Sequence, residues 1–232
     1  GKLLQTIKKK IPLKAGETQR TALQSKPIAN PLLWTPERPT LYKVRTSIID
    51  TKSGKVIDEK NHKVGFRWFS FDGEKGFCLN GKTYKLRGFN RHQDQAPVGV
   101  ALPDEAHRRD IKLMKELGSN YIRISHYPQD DALLDACDEL GIFIIVATPG
   151  WQYWNKDPQF AERVFQNTRE IIRRDRNHPS VLMWEPILNE TRYPKDFALK
   201  SLQLTKDEYP YPYRPVAVAD WNSAGVKENY DV

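Results

Sequence analysis

From Gly76 onward, short runs that are apolar on both faces alternate with longer amphipathic runs, and that rhythm constrains the fold more than any other feature of the chain. KLRGFN (85–90), NYIRIS (120–125), IFIIVAT (142–148), SVLMWE (180–185) and RPVAVAD (214–220) read as strands. Strands buried on both sides belong in parallel sheets covered by helices. Between them, 103–118 reads as a helix opened by Pro103 and acids and followed by Gly118, and 130–141 as a helix stopped by Gly141. Residues 158–176 read as a helix opened by a proline, and about 195–207 as a fourth. Strand starts recur roughly every 22–38 residues, which suits a (β/α)8 TIM barrel. The competing doubly wound sheet needs a glycine-rich phosphate loop after its first strand. That turn reads NRHQDQAPVGVALPDE and holds no GxGxxG, so an incomplete barrel of about five strands is expected.

Before Gly76 the pattern differs. LYKVRTSIID (41–50) and KVIDEKNHKVGFRWFSFD (55–72) are rich in β-branched and aromatic residues, and TKSG between them supplies turn chemistry. TALQSKPIANPLLWTPERPT (21–40) carries four prolines and reads as an irregular connection. Two long strands fall short of the roughly seven of a β-sandwich. Residues 1–70 are therefore expected to be the C-terminal part of a sandwich domain, and 71–232 the N-terminal part of the barrel. GFCLNGKTYKLRGF should open the second region as a hairpin turning at Asn80-Gly81.

Charge excludes little. The formal net charge is +8, but the basic runs at 8–10, 108–109 and 173–174 are short and suit solvated surfaces. No nucleic-acid module accompanies them, so a nucleic-acid partner is not expected. No apolar run approaches the roughly 20 residues of a membrane span, and GKLLQTIKKKIPLKAGE lacks the apolar core of a signal peptide. A leader removed earlier or lying upstream is compatible with this. Cys78 and Cys137 are too few for a disulfide framework or metal cluster and read as buried free thiols. Free thiols permit a cytoplasm, while polysaccharide degradation would suit a periplasm.

In barrel enzymes the chemistry collects where strands end. Here those ends read Asn90-Arg91-His92-Gln93-Asp94, Arg123-Ile124-Ser125-His126-Tyr127-Pro128, Ala147 to Trp154, Asn189-Glu190-Thr191, and Asp220-Trp221-Asn222. Five polar or aromatic ends after apolar interiors suggest a pocket for a sugar, whose hydroxyls need polar partners and whose C–H face stacks on aromatic rings. Arg91 and Arg123 read as internal ion-pair partners that hold this pocket. Glu185 lies an odd five residues from Glu190, on the opposite face of a regular strand, and reads as structural.

NRHQD (90–94), RISHYP (123–128) and NHPSVLMW (177–184) leading to Asn189-Glu190 resemble signature segments of glycoside hydrolase family 2, the β-galactosidase and β-glucuronidase group. NPLLWTPERPTLY (30–42) resembles the part of that family's immunoglobulin-like sandwich just before its barrel. The resemblance implies an internal stretch of a longer retaining, exo-acting β-glycosidase, with the remainder of the parent chain as partner and a homo-oligomer possible. Glu190 matches the general acid/base and Asn189 the amide that bonds the sugar 2-hydroxyl. His92 and His126 match sugar-subsite histidines, and Asp94 and Trp151 are further substrate-binding candidates. The nucleophile would be a glutamate beyond residue 232, so the 232-residue chain alone is expected to be inactive, and a half barrel with open edges should aggregate or self-pair.

Two departures from the family pattern bear on the site. WEPILNE has one residue more between Trp184 and Glu190 than the commonest members, and Pro186 is expected at a bulge that absorbs it. ATPGWQYW lacks the glutamate and histidine with which many β-galactosidases bind magnesium, so neither metal nor cofactor is carried over. The segments favour a β-galactoside as substrate. A β-glucuronidase or other family 2 β-glycosidase is the alternative, and a non-catalytic, carbohydrate-binding or structural barrel remnant is the alternative of another class.

Overall fold

The computed structural model describes residues 1–150, 152–188, 191–209, 214–217 and 226–231. The chain divides into two units, Gly1–Leu32 and Leu33–Val232. The first holds no helix or strand. Its ends are tied by a reciprocal pair of bonds, in which Gln5 Nε2 donates to the Lys26 carbonyl at 2.8 Å and the Lys26 amide donates to Gln5 Oε1 at 3.0 Å.

The second unit opens with an antiparallel hairpin, β1 (Tyr42–Ile49) and β2 (Val56–Val64). Val44, Ile48, Ile49, Val56 and Ile57 on this hairpin are exposed. The expected strand over 55–72 is two strands. β2 stops at Val64, and β3 (Phe69–Asp72) belongs to a separate small sheet with β4 (Gly76–Leu79) and β5 (Lys82–Thr83). The reason lies between them. Arg67 turns inward, Nε donating to the Pro179 carbonyl and Nη2 to the Val181 carbonyl, both at 2.5 Å. A strand running straight through could not also cap those carbonyls. The β4–β5 turn forms as expected, with Asn80 and Gly81 at φ 51° and 82°, the left-handed pair that a two-residue hairpin turn requires.

Four parallel strands follow in sequence order: β6 (Gly88–Arg91), β7 (Tyr121–Ile124), β8 (Phe143–Ala147) and β9 (Val181–Glu185). A parallel bridge from Trp184 to Val216 extends the order toward the expected fifth strand, whose residues 218–220 lie outside the described residues. The helices α1 (Asp104–Glu116), α2 (Asp131–Leu140), α3 (Pro158–Asp175) and α4 (Lys195–Glu208) occupy the gaps. Local chemistry sets their ends. Asp130 and Asp157 cap α2 and α3 by accepting the amides of Ala132 and Gln159, and Gly141 closes α2 at φ 74°.

The bulge expected at Pro186, between Trp184 and Glu190, falls in a stretch that runs into residues 189–190, outside the described residues, and a separate irregularity precedes Trp184. The irregularity in the β8–β9 ladder falls between Ile144 and Ile145, paired to Val181 and Met183, so Leu182 is the extra residue. Pro186 comes after the last paired residue, Glu185, where a missing amide costs no ladder bond.

Two apolar layers clothe the sheet. Ile122, Ile124, Ile144 and Val146 pack with Ile111, Leu133, Leu134 and Cys137 of α1 and α2. On the inner face, Phe143, Ile145 and Leu182 pack with Phe69, Phe77 and Leu79 of the small sheet and with Trp34. Trp34 is fully buried, edge-on to Phe143 at 5.0 Å, and its Nε1 donates to the Asp138 carbonyl at 2.8 Å. Both cysteines are free and buried, as the sequence suggests.

Candidate active site

β6 and β7 deliver the first two polar ends to one place. The rings of His92 and His126 lie 5.4 Å apart, and the Tyr127 ring lies 6.3 Å from His92. The Tyr127 hydroxyl donates to Asp94 Oδ1 at 3.0 Å and accepts from the Gln93 amide at 3.3 Å. His92, Asp94 and His126 are thus brought together, with Tyr127 as the hinge of the group. The Ser125–His126 peptide bond is cis. Trp151, Asn189 and Glu190 lie outside the described residues, as do Asp220, Trp221 and Asn222.

Arg91 supports the group from behind. Its Nη2 meets Asp110 Oδ2 at 2.8 Å and His107 Nδ1 at 3.3 Å, and its Nη1 donates to Gln129 Oε1. Gln129 returns a bond from Nε2 to the Arg91 carbonyl at 3.1 Å, so the residue before His92 is held by side chain and main chain together. Burial, with the Arg91 charge added, pushes His107 below its usual value, which suits a neutral ring accepting from the guanidinium.

One strand further in, Arg123 pairs with Glu185, Nη2 to Oε1 at 2.6 Å. Both arginines are internal ion-pair partners, as their positions in the sequence imply. Burial raises the Glu185 carboxyl above the usual range, and Arg123 pulls against that rise.

The loops after β8 and β9 are joined through Thr191. Its Oγ1 accepts from the Gln152 amide at 2.9 Å and donates to the Gly150 carbonyl at 3.4 Å. Beyond it, the Tyr193 ring stacks on Phe197 at 5.2 Å, and Trp154 stands edge-on to Phe197 at 4.6 Å. Sequence reasoning gave Thr191 no role, because a single threonine after a glutamate carries no pattern.

Among the described residues, Asp135, Asp138 and His178 bring potential metal-ligand atoms within 4.8 Å of one another. All three side chains are already matched, Asp135 by ion pairs with Lys63 at 3.8 Å and Arg108 at 3.9 Å. His178 Nδ1 lies 2.7 Å from Asp138 Oδ2, and Asp138 Oδ1 accepts the Ser180 amide at 2.9 Å. The group precedes β9, at the opposite end of the sheet from the histidines, and has the chemistry of an internal ion pair.

The chain is similar to known proteins in sequence and fold. The TIM barrel domain of glycosyl hydrolases family 2 matches residues 72–220, and a second model described as glycosyl hydrolases family 2 matches residues 2–67. A β-galactosidase of Thermoanaerobacter pseudethanolicus is 41% identical over 182 residues, covering 78% of this chain and 24% of that protein. A putative β-glucuronidase of Formosa agariphila is 41% identical over 174 residues, covering 73% and 20%. The solved Bacteroides uniformis β-glucuronidase 2, covalently bound to cyclophellitol-6-carboxylate aziridine, superposes with a TM-score of 0.93 at 43% identity, covering all of this chain and 30% of that one. The chain therefore spans 20–30% of the length of these relatives. The parallel sheet is the early part of a TIM barrel, and because the barrel-domain model matches more than half of this chain, the chain belongs to glycosyl hydrolase family 2.

Proposed function

We propose that this chain is part of a retaining, exo-acting β-glycosidase in which Glu190 is the general acid/base. Residues 1–70 would be the end of a sandwich domain and residues 71–232 the start of the catalytic barrel. The observation that carries the reading is the gathering of His92, Asp94, His126 and Tyr127 beyond β6 and β7, on the side toward which β9 also runs. Glu190 would protonate the departing glycosidic oxygen, then take a proton from the attacking water. Asn189 would bond the sugar 2-hydroxyl, His92, His126 and Asp94 would hold other hydroxyls, and Trp151 would stack on the ring.

A terminal β-galactoside is the substrate favoured by the strand-end segments, and a relative named β-galactosidase supports it. A β-glucuronide is the second reading, favoured by the likeness to the Bacteroides uniformis β-glucuronidase. The test uses the full-length parent carrying Glu190→Ala, with activated aryl β-galactoside and aryl β-glucuronide in parallel. An activated leaving group needs little acid help, so glycosylation should survive, deglycosylation should stall, and azide should restore turnover by forming the β-glycosyl azide of the preferred sugar. Unchanged, azide-insensitive turnover would reject Glu190.

A further inference from the structure

We propose that Thr191 is a positioning residue for Glu190, fixing the acid/base by fastening the loop after β9 to the loop after β8. This rests on the assignment of Glu190 above.

The ladder between β8 and β9 ends at Glu185. Ile187 and Leu188 are anchored by full burial. Thr191 is the next described residue, covalently joined to Glu190, and it is 3% exposed. Its hydroxyl uses both of its capacities at once, accepting from the Gln152 amide and donating to the Gly150 carbonyl. Its own carbonyl accepts the Tyr193 amide at 3.0 Å. The residue is thus held by side chain on one side and by main chain on the other. Tyr193, Trp154 and Phe197 lock the far side of the junction through their rings.

The partner loop is shaped to receive that hydroxyl. Gln152 sits at φ 57°, a left-handed conformation that a non-glycine residue keeps only where its surroundings hold it, and the amide of this same residue is the one Thr191 accepts. Gly150, at φ 128°, supplies the carbonyl. An acid/base must be held to within about 0.5 Å to protonate a leaving oxygen well. A hydroxyl bonded twice across the loops, one residue away, supplies that restraint; a valine of the same shape cannot.

The test compares Thr191→Val, Thr191→Ser and Glu190→Gln in the full-length parent, with an alkyl β-glycoside, which needs acid assistance, and a dinitrophenyl β-glycoside, whose glycosylation does not. Thr191→Val should lower kcat for the alkyl glycoside by about tenfold or more, with KM nearly unchanged. The glycosylation rate with the dinitrophenyl substrate, read as the pre-steady-state burst, should fall less than about threefold. The basic limb of the alkyl-glycoside pH profile should shift, and Thr191→Ser should restore both rate and profile. Wild-type kinetics for Thr191→Val, equal losses in both measurements, or no rescue by serine would overturn the inference. Glu190→Gln separates the two levels. If it loses the alkyl reaction while Thr191→Val does not, only the positioning role falls; if it keeps that reaction, the acid/base reading itself has failed.

Discussion

The Arg123 guanidinium meets the Glu185 carboxylate side-on, with Nη2 2.6 Å from Oε1 and Nε 3.1 and 3.0 Å from the two oxygens. The pair links β7 to β9 across β8, and the Glu185 side chain is 1% exposed. It acts as a tie beneath the proposed sugar site.

Arg123→Met should therefore be costly in a pH-dependent way. Removing one member of a buried pair leaves the other charge uncompensated, at about 3–5 kcal/mol. Burial already holds Glu185 above the usual carboxylate range, and without Arg123 it must rise further. A carboxyl whose folded value is raised keeps its proton longer in the native state, so the variant loses stability as pH rises between the unfolded and folded values. Unfolding of the parent protein in urea should show a small deficit near pH 4 that grows as the pH rises and levels off only above the folded value. A constant deficit would mean that Glu185 is not the group left behind.

Two helix-ending glycines should respond unequally to alanine. Both Gly118 and Gly141 have positive φ, 84° and 74°, a conformation that costs a side chain about 1–2 kcal/mol. A Cβ on Gly118 would meet nothing within 4 Å, whereas one on Gly141 would lie 2.3 Å from the Pro36 carbonyl oxygen. Gly118→Ala should lower stability by about the conformational cost alone. Gly141→Ala should lose clearly more, because the segment bearing Trp34 and Pro36 must move off α2. Thermal unfolding of the two variants side by side checks this, and equal shifts would reject the close approach.

These glycines also mark what the sequence could reveal. Gly141 announced the end of α2, and Asn80-Gly81 the turn of β4–β5, because both needs are local and only a few residues meet them. Strands β8 and β9 were readable because they are buried on both faces. The break between β2 and β3 was not, since Arg67 sits in a run of strand-forming residues and its partners, the carbonyls of Pro179 and Val181, lie more than a hundred positions away. The irregularity at Leu182 was not readable either, because no local pattern distinguishes that residue from its neighbours. At the site, His92, Asp94 and His126 could be named from strand ends, but the hydroxyl bond from Tyr127 to Asp94 depends on how β6 and β7 are placed side by side.

That bond gives a prediction for substrate binding. Tyr127→Phe removes the donor to Asp94 Oδ1 and the acceptor for the Gln93 amide while keeping the ring beside His92. A hydrogen bond to a charged partner is worth about 1.5–3 kcal/mol. If half of that is felt by a bound sugar, KM in the parent enzyme should rise roughly three- to tenfold. The kcat for an activated glycoside should change less, because the tyrosine holds a binding group. Steady-state kinetics with Asp94→Asn alongside would show whether the two act together: the double variant should be little worse than Asp94→Asn, and additive losses would separate them.

His178 should give stability the opposite pH trend from Arg123→Met's deficit. Burial pulls the imidazole down, but the Asp138 hydrogen bond and charge, with Asp175 and Asp135 nearby, outweigh it and the net shift is upward. A histidine with a raised folded value stabilises fully below its unfolded value, near 6.5, and that contribution fades as pH climbs through the folded value. His178→Gln should therefore cost most near pH 6 and progressively less toward pH 9. The ring lies just before β9, with its own carbonyl taken by Arg214 Nη2 at 2.8 Å, so the loss should appear in global unfolding rather than in activity at the far end of the sheet. Titration of the imidazole by NMR in the parent protein, set beside the stability difference between wild type and variant, provides the check. A midpoint below 6.5, or a deficit that grows with pH, would show that Asp138 does not hold the proton on His178.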